Sequence, residues 1–314
     1  YLNMEAPLTD LMKRKVSKIG PATLMISLPA LWAKKYNINK GDEIEIEQRG
    51  EDLIVSTSHF TSTNSIKVNL ENTPERITRW ILSALHKSGY DEIEITYNNQ
   101  NTFQVIQELL KDLFTGFAML DQTGKKCILK TLTKEIDTEF DNTLRRAFYV
   151  TLSLANNALE VIKEQNYSHL NNIVTLEKTN NQLTNFCQRI LHKTGYKEFQ
   201  KNYFLYVIAW NLEKIADEYK DICKYLEEKK QIEPQLIILF EKVNQYFKGY
   251  YELFYTFKLE ELERLEEIKK ELQQEITRVF PSDPKLTHHL ANVTSKTTDF
   301  SASMIALHHE KLLA

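Results

Sequence analysis

"MKRKVSKIGPATLMISLPALWAKKYNINKGDEIEIE", residues 12–47, has its charges sorted rather than mixed. From Lys13 to Lys35 it carries six basic residues and no acid, and after Gly41 the sign flips with Asp42, Glu43, Glu45 and Glu47. Its punctuation is equally ordered. Gly20-Pro21 is a turn signal between two short strands, expected over 15–19 and 24–28. Leu28-Pro29 opens a short helix over 30–36, with the proline where a missing N–H costs nothing. Gly41-Asp42 then turns into a strand over 43–48, in which Ile44 and Ile46 alternate with the acids, and Gly50 turns again into 53–56. Alternation of this kind buries one sheet face and solvates the other. Fewer than fifty residues with so few large apolar side chains make a thin core, so this segment is expected to need a partner chain.

Working outward, the whole chain has 314 residues, 40 Lys+Arg against 43 Asp+Glu and a net charge of −3. Polyanion binding must therefore be local to the basic stretch. The composition, 42% hydrophobic and 26% charged, is that of an ordinary soluble globular protein, and the length predicts two or three domains. No apolar run approaches the ~20 residues of a bilayer span, and no leader-peptide pattern appears. Cys127, Cys187 and Cys223 are odd in number and form no CxxC pair, which fits a reducing cytoplasm rather than a disulfide framework. Residues 1–11 lack periodicity and read as a mobile arm or an expression remnant.

Residues 66–132 read as βαβαββ: strands near 65–70 and 92–97, helices over 74–88 and 102–113, and a hairpin across Gly124. This small α+β segment shows no catalytic constellation and suits spacing or dimerisation. From 141 to the end the pattern is helical, with spans expected over 142–165, 168–194, 199–229, 233–257, 259–280 and 284–313. Gly195, Glu233-Pro234 and Pro281-Ser282-Asp283-Pro284 mark their boundaries. Ile208, Leu212, Ile215, Tyr219, Ile222 and Leu226 step by four and three, as do Leu286, Leu290, Val293, Thr297, Phe300, Met304 and Leu307. Both runs are seams of bundle packing, and six helices in threes suggest a duplicated unit.

Three chemical readings follow from the residues. Lys13, Arg14, Lys15 and Lys18, with Ser17, lie on or beside one short strand, and pairing two copies doubles the cluster into a surface for DNA phosphates. A solvated strand edge accounts for the same lysines. Glu213 and Asp217, four apart, share a helix face and offer oxygen ligands to a divalent or trivalent metal, although such pairs are most often merely solvated. The chain has no GxxxxGK[ST], GxGxxG or GxSxG, and no histidine follows a glutamate by three residues, so an enzyme is not expected. The pairs His288-His289 and His308-His309 read as exposed, because adjacent helical residues point apart.

Two resemblances refine these readings. "RKVSKIG…SLPALWAKKYNINKGDEIEIE" resembles the AbrB/MazE swapped-hairpin domain through Lys15, Val16, Gly20, Leu28, Pro29, Trp32, Gly41, Asp42 and Ile44. It departs at Ser27, where many relatives carry arginine. The resemblance implies an interleaved homodimeric β-barrel over 12–58, with DNA contacts at Lys13, Arg14, Lys15, Ser17 and Lys18. Residues 141–314 resemble PhoU, the phosphate-uptake regulator of two three-helix units with an E(D)xxxD motif on the third helix of each. "LEKIADEYKDI" matches through Glu213 and Asp217; in "NVTSKTTDFSAS" Asp299 is kept and Ser295 replaces the first acid. That resemblance implies metal (iron, zinc or magnesium) at Glu213, Asp217 and Asp299. Together the two resemble the archaeal-type phosphate uptake regulators: a cytoplasmic, multi-domain α+β, DNA-binding homodimer with 66–132 as linker or dimerisation domain. Operator DNA and the phosphate transporter ATPase subunit are the partners implied. A cytosolic adaptor that restrains the transporter without binding DNA is the alternative.

Overall fold

The computed structural model describes residues 13–49, 51–56, 64–132 and 139–312. The segment 1–11 and the turn at Gly50 lie outside them. The chain divides into two compact units, Tyr1–Thr63 and Asn64–Ala314. A small strand-rich region thus precedes a large, predominantly helical one, a multi-domain α+β arrangement.

Among its described residues the first unit holds two separate ribbons and a short helix. Strand β1 (Ser17–Ile19) pairs antiparallel with β2 (Thr23–Met25), and β3 (Glu45–Arg49) pairs with β4 (Asp52–Ser56). Helix α1 (Ala30–Lys35) lies between them in sequence, with Pro29 as its N-cap residue. The first two strands are shorter than their alternation predicts, because only three residue pairs are in register across the Gly20 turn.

In the second unit β5 (Ser65–Asn69), α2 (Glu75–Lys87), β6 (Glu92–Thr96), α3 (Gln100–Asp112), β7 (Phe117–Thr123) and β8 (Lys126–Thr131) follow the βαβαββ order. The sheet runs β5-β6-β8-β7, with β5 and β6 parallel and the remaining pairs antiparallel. One face, with Ile93, Ile95, Cys127 and Leu129, is buried in a core shared with Leu82, Phe103 and Ile106 of the helices. The alternate positions Lys67–Glu94 and Lys130–Glu92 form ion pairs between neighbouring strands, as expected of a sheet with one apolar and one polar face.

The helices that follow are α4 (Phe140–Lys163), α5 (Leu170–Lys193), α6 (Asn202–Lys229), α7 (Pro234–Tyr255), α8 (Leu259–Val279), α9 (Pro284–Thr298) and α10 (Phe300–Leu307). Helices α4, α5 and α6 pack together, α7, α8 and α9 pack together, and α6 against α9 and α4 against α7 join the two sets. All six seam residues of α6 and all seven from Leu286 to Leu307 are buried. The last span departs from expectation: it is not one helix but breaks at Asp299. The hydroxyls of Thr294 and Thr298 bond the carbonyls of Leu290 and Thr294, a back-bonding that competes with regular helix. The seam continues across the break, so packing does not reveal it.

A buried clamp ties the sheet layer to the bundle. Arg189 on α5, fully buried, donates to the carbonyls of His86 and Tyr90 and to Asp91 Oδ1 at 2.8–2.9 Å. Lys193 pairs with the same carboxylate. Gly89, at φ +78°, lets the backbone pass Lys193, where a Cβ would stand 3.2 Å from the lysine's own. His86 stacks on Phe114 at 4.7 Å, and burial pushes its imidazole down to about 3, so it is neutral here.

Candidate nucleic-acid interface

Lys13, Arg14 and Lys15 precede β1 in extended chain, Ser17 and Lys18 lie within it, and all five are exposed. The register places Ser17 beside Met25 and Lys18 beside Leu24, on opposite faces of the ribbon. Neither face is purely basic or purely apolar. Lys34 and Lys35 sit in the last turn of α1, and Lys35 lies over the Tyr36 ring at 5.3 Å. Gly41, at φ +102°, makes the turn that Asp42 closes by accepting from the Asn39 N–H at 2.7 Å. The acids of β3 follow, so the sign change of the sequence falls between the two ribbons.

The decisive feature is what this unit lacks. Among the residues of 13–56 whose burial is described, none is buried. Val16, Ile19, Leu24, Met25, Ile26, Leu31, Ile46 and Leu53 are all exposed, Leu24 at 69% and Leu31 at 79%. Eight large apolar side chains on so short a segment form a surface that a soluble unit covers with something else. A segment of this size in which no described side chain is buried gains its core from a partner surface.

The carboxylates singled out on the helical half have a different environment. Lys214 Nζ lies 3.2 Å from Glu213 Oε1 and 3.3 Å from Asp217 Oδ2. Lys220 bridges Asp217 at 2.5 Å and Glu177 of α5 at 2.8 Å, and Lys87 of α2 approaches Glu213 at 3.8 Å. Burial pushes the Asp217 carboxyl up, but the hydrogen bond and charge of Lys220 outweigh it, so the group is held below the usual carboxylate range. Asp299 stands at the α9–α10 junction in a separate cleft lined by Lys269, Gln273 and Ser295. The structure therefore brings Glu213 and Asp217 together and leaves Asp299 apart. Lysine ammonium groups take the positions beside the two carboxylates that a metal would occupy. Among the described residues no group of three or more His, Cys, Asp or Glu side chains is placed to hold a metal ion. This donor set fits lysine.

Two features escape the sequence reading. His289 is not exposed but half-buried: its Nδ1 lies 2.7 Å from Glu218 Oε2, and Lys296 and Asn292 donate to the other oxygen. Burial pushes Glu218 up, and the hydrogen bonds from His289 and Lys296 outweigh it, leaving the carboxyl at about 2. His308 stacks on Phe257 at 5.0 Å. The second feature is the outer face of α6, where Tyr203, Phe204, Tyr206, Val207 and Trp210 are all exposed. Its only trace in the sequence is that the residues between the seam positions there are apolar too.

The comparisons with known proteins bear on the first unit. No curated protein and no solved structure matches the chain. Among the described residues no helix is long and apolar enough to cross a membrane. Residues 18–58 match the family model described as antidote-toxin recognition MazE, bacterial antitoxin. Domains of this MazE/AbrB-like kind typically dimerise and bind DNA, so the first unit is similar to a transcription-regulator or antitoxin-like DNA-binding domain.

Proposed function

We propose that the chain is a DNA-binding regulator that works as a homodimer, with the second unit receiving a signal of phosphate status and the first unit reading an operator of phosphate-uptake genes. One observation carries the DNA-binding part. Six basic residues and no acid stand between 13 and 35, on a unit in which the eight large apolar side chains named above are exposed and no described side chain is buried in the single chain. A second copy supplies the missing core by closing the four strands of each chain into one barrel. That closure leaves Lys13, Arg14, Lys15, Ser17 and Lys18 of both copies on the outside, where phosphates reach them. The phosphate part rests on the resemblance of residues 141–314 to PhoU; the packing of α4 with α5 and α6, and of α7 with α8 and α9, supports a reading as two helical units.

The mechanism follows from pairing. Phosphate contacts give salt-sensitive affinity, and ligand or protein binding to the helical half changes that affinity by favouring one arrangement of the paired chains. A metal reaches Glu213 and Asp217 only by displacing Lys214 and Lys220. Elemental analysis of the chain beside Asp217→Ala decides whether it does.

Crosslinking followed by sequencing, in cells at high and low phosphate, tests the whole reading. Enrichment at promoters of phosphate-transport genes that changes with phosphate supports it. Enrichment nowhere, with the transporter ATPase subunit recovered alongside the chain, replaces it with the adaptor that acts by protein contact alone. Enrichment elsewhere, indifferent to phosphate, retains DNA binding and removes the phosphate signal.

A further inference from the structure

The first two and a half turns of α6 present an apolar, aromatic face to solvent. Tyr203, Phe204, Tyr206, Val207 and Trp210 are the side chains turned away from the core there, with Tyr203 at 73% and Trp210 at 45% exposure. A helix face on a bundle is ordinarily polar at such positions, and a contiguous aromatic surface marks an interaction site. Beside it, at the N-terminal end of the face, a cleft of about 410 Å³ is lined by Leu191, His192, Asn202, Tyr203 and Tyr206. At the other end Trp210 projects, with Lys214 over its ring at 5.8 Å.

We propose that this face is an interface with a second copy of the same chain, in which the α6 helices cross antiparallel about a two-fold axis between Tyr206 and Val207. An isologous contact needs a protrusion and a recess equally far from the axis on opposite sides. Trp210 and the Tyr203 cleft meet that condition: they lie seven residues apart, about 10 Å along the helix at ~1.5 Å per residue, with the axis midway. Trp210 of each copy then enters the cleft of the other.

The rim argues against a strongly charged occupant. Lys214 is paired with Glu213 and Asp217, Lys201 with Glu198, and Lys197 with Asp141. Each of these charges is answered within the chain, so neither a nucleic acid nor an anionic surface finds a complementary field. A neutral aromatic surface meets its match in another neutral aromatic surface. Four aromatic rings, on average about half exposed, at ~150–250 Å² each put the coverable area on the order of 300–500 Å² per copy. That is below the ~800 Å² per partner of a free-standing dimer. It is sufficient once two chains are already tethered and the contact forms at an effective concentration on the order of millimolar. In this respect alone the inference rests on the pairing proposed for the first unit.

Cysteine placed next to the axis tests it. The native thiols Cys127, Cys187 and Cys223 are all buried and stay silent. In the full chain, Val207→Cys should form an intermolecular disulfide under mild oxidation at least tenfold faster than Gln274→Cys, an exposed position on α8. Adding Trp210→Glu should abolish that advantage without changing the melting temperature. A dimer in solution whose Val207→Cys crosslinks no faster than Gln274→Cys overturns the interface while keeping the pairing of the first unit. A chain that is monomeric before oxidation removes the pairing instead. Crosslinking that survives Trp210→Glu overturns the knob-and-cleft geometry.

Discussion

Replacing Lys15 by alanine tests the electrostatic basis of the proposed function in numbers. Each chain carries four basic side chains, Lys13, Arg14, Lys15 and Lys18, on or beside β1. Two copies present about eight, and if each neutralises one phosphate the logarithm of the binding constant falls with the logarithm of salt at a slope of about −7. Lys15→Ala removes two contacts per pair, which makes the slope about 1.8 shallower and weakens binding on the order of 50-fold at 0.1 M salt. Lys18→Glu should do more, since it also introduces repulsion. Lys18 shares its ribbon face with Leu24, whereas Lys15 falls on the face of Ser17 and Met25 by strand alternation, so the two substitutions report on opposite faces. The assay is a fluorescence-anisotropy titration of operator-length duplex at several salt concentrations. If neither substitution changes the slope, or binding does not respond to salt at all, the basic ribbon is not the DNA-binding surface.

Three further outcomes follow from named contacts. Arg189→Ala leaves the buried Asp91 carboxylate with Lys193 and the Asn64 N–H but without its guanidinium, removes a donor from the carbonyls of His86 and Tyr90, and should cost the second unit about 3–5 kcal/mol in urea unfolding; a loss under about 1 kcal/mol would show that the clamp does not hold the sheet layer to α5. Glu218, held at about 2 against an ordinary 4.5, contributes stability that is fully present above pH 4.5 and is lost as pH falls toward 2. Discounted for partial exposure this is roughly 2 kcal/mol, and Glu218→Gln should flatten the acid limb of thermal stability across that window. Leu24→Asp places a charge on an apolar side chain that only pairing covers, so sedimentation should show monomer where the parent chain is dimeric, with an unchanged melt of the second unit.

How far the sequence disclosed the molecule depended on whether the relevant signal was periodic. The α6 seam was legible because six apolar residues spaced by four and three have only one way to be buried together. The start of α9 was legible in Asp283-Pro284, and Asp283 Oδ1 does accept from the Leu286 N–H at 3.1 Å. The break at Asp299 was hidden because the seam runs through it and only the hydroxyl back-bonds distinguish the two sides. Arg189 and Asp91 stand 98 positions apart, and no local pattern announces that two charges so distant are buried against each other. Spacing put Glu213 and Asp217 correctly on one face, but the lysines within a turn of them, Lys214 and Lys220, were left out of that reading. The aromatic face of α6 was missed for a related reason: counting what a helix buries says nothing of what it leaves outside.

That no described side chain of the first unit is buried has a consequence for regulation under the proposed function. If the ribbons gain their core only from a second copy, as proposed, their order, their pairing and their display of basic residues are one event. DNA affinity then depends on protomer concentration, and duplex binding in turn stabilises the pair. A signal received elsewhere in the chain needs no contact with DNA and no route of packed side chains to reach it. It has only to bind one paired arrangement more tightly than another, and a tenfold preference is worth about 1.4 kcal/mol of coupling. The same preference must appear in reverse, with operator DNA tightening signal binding tenfold. A helical half whose ligand affinity is indifferent to operator DNA, in a molecule whose DNA affinity responds to that ligand, would break thermodynamic reciprocity and place the coupling outside the equilibrium of pairing.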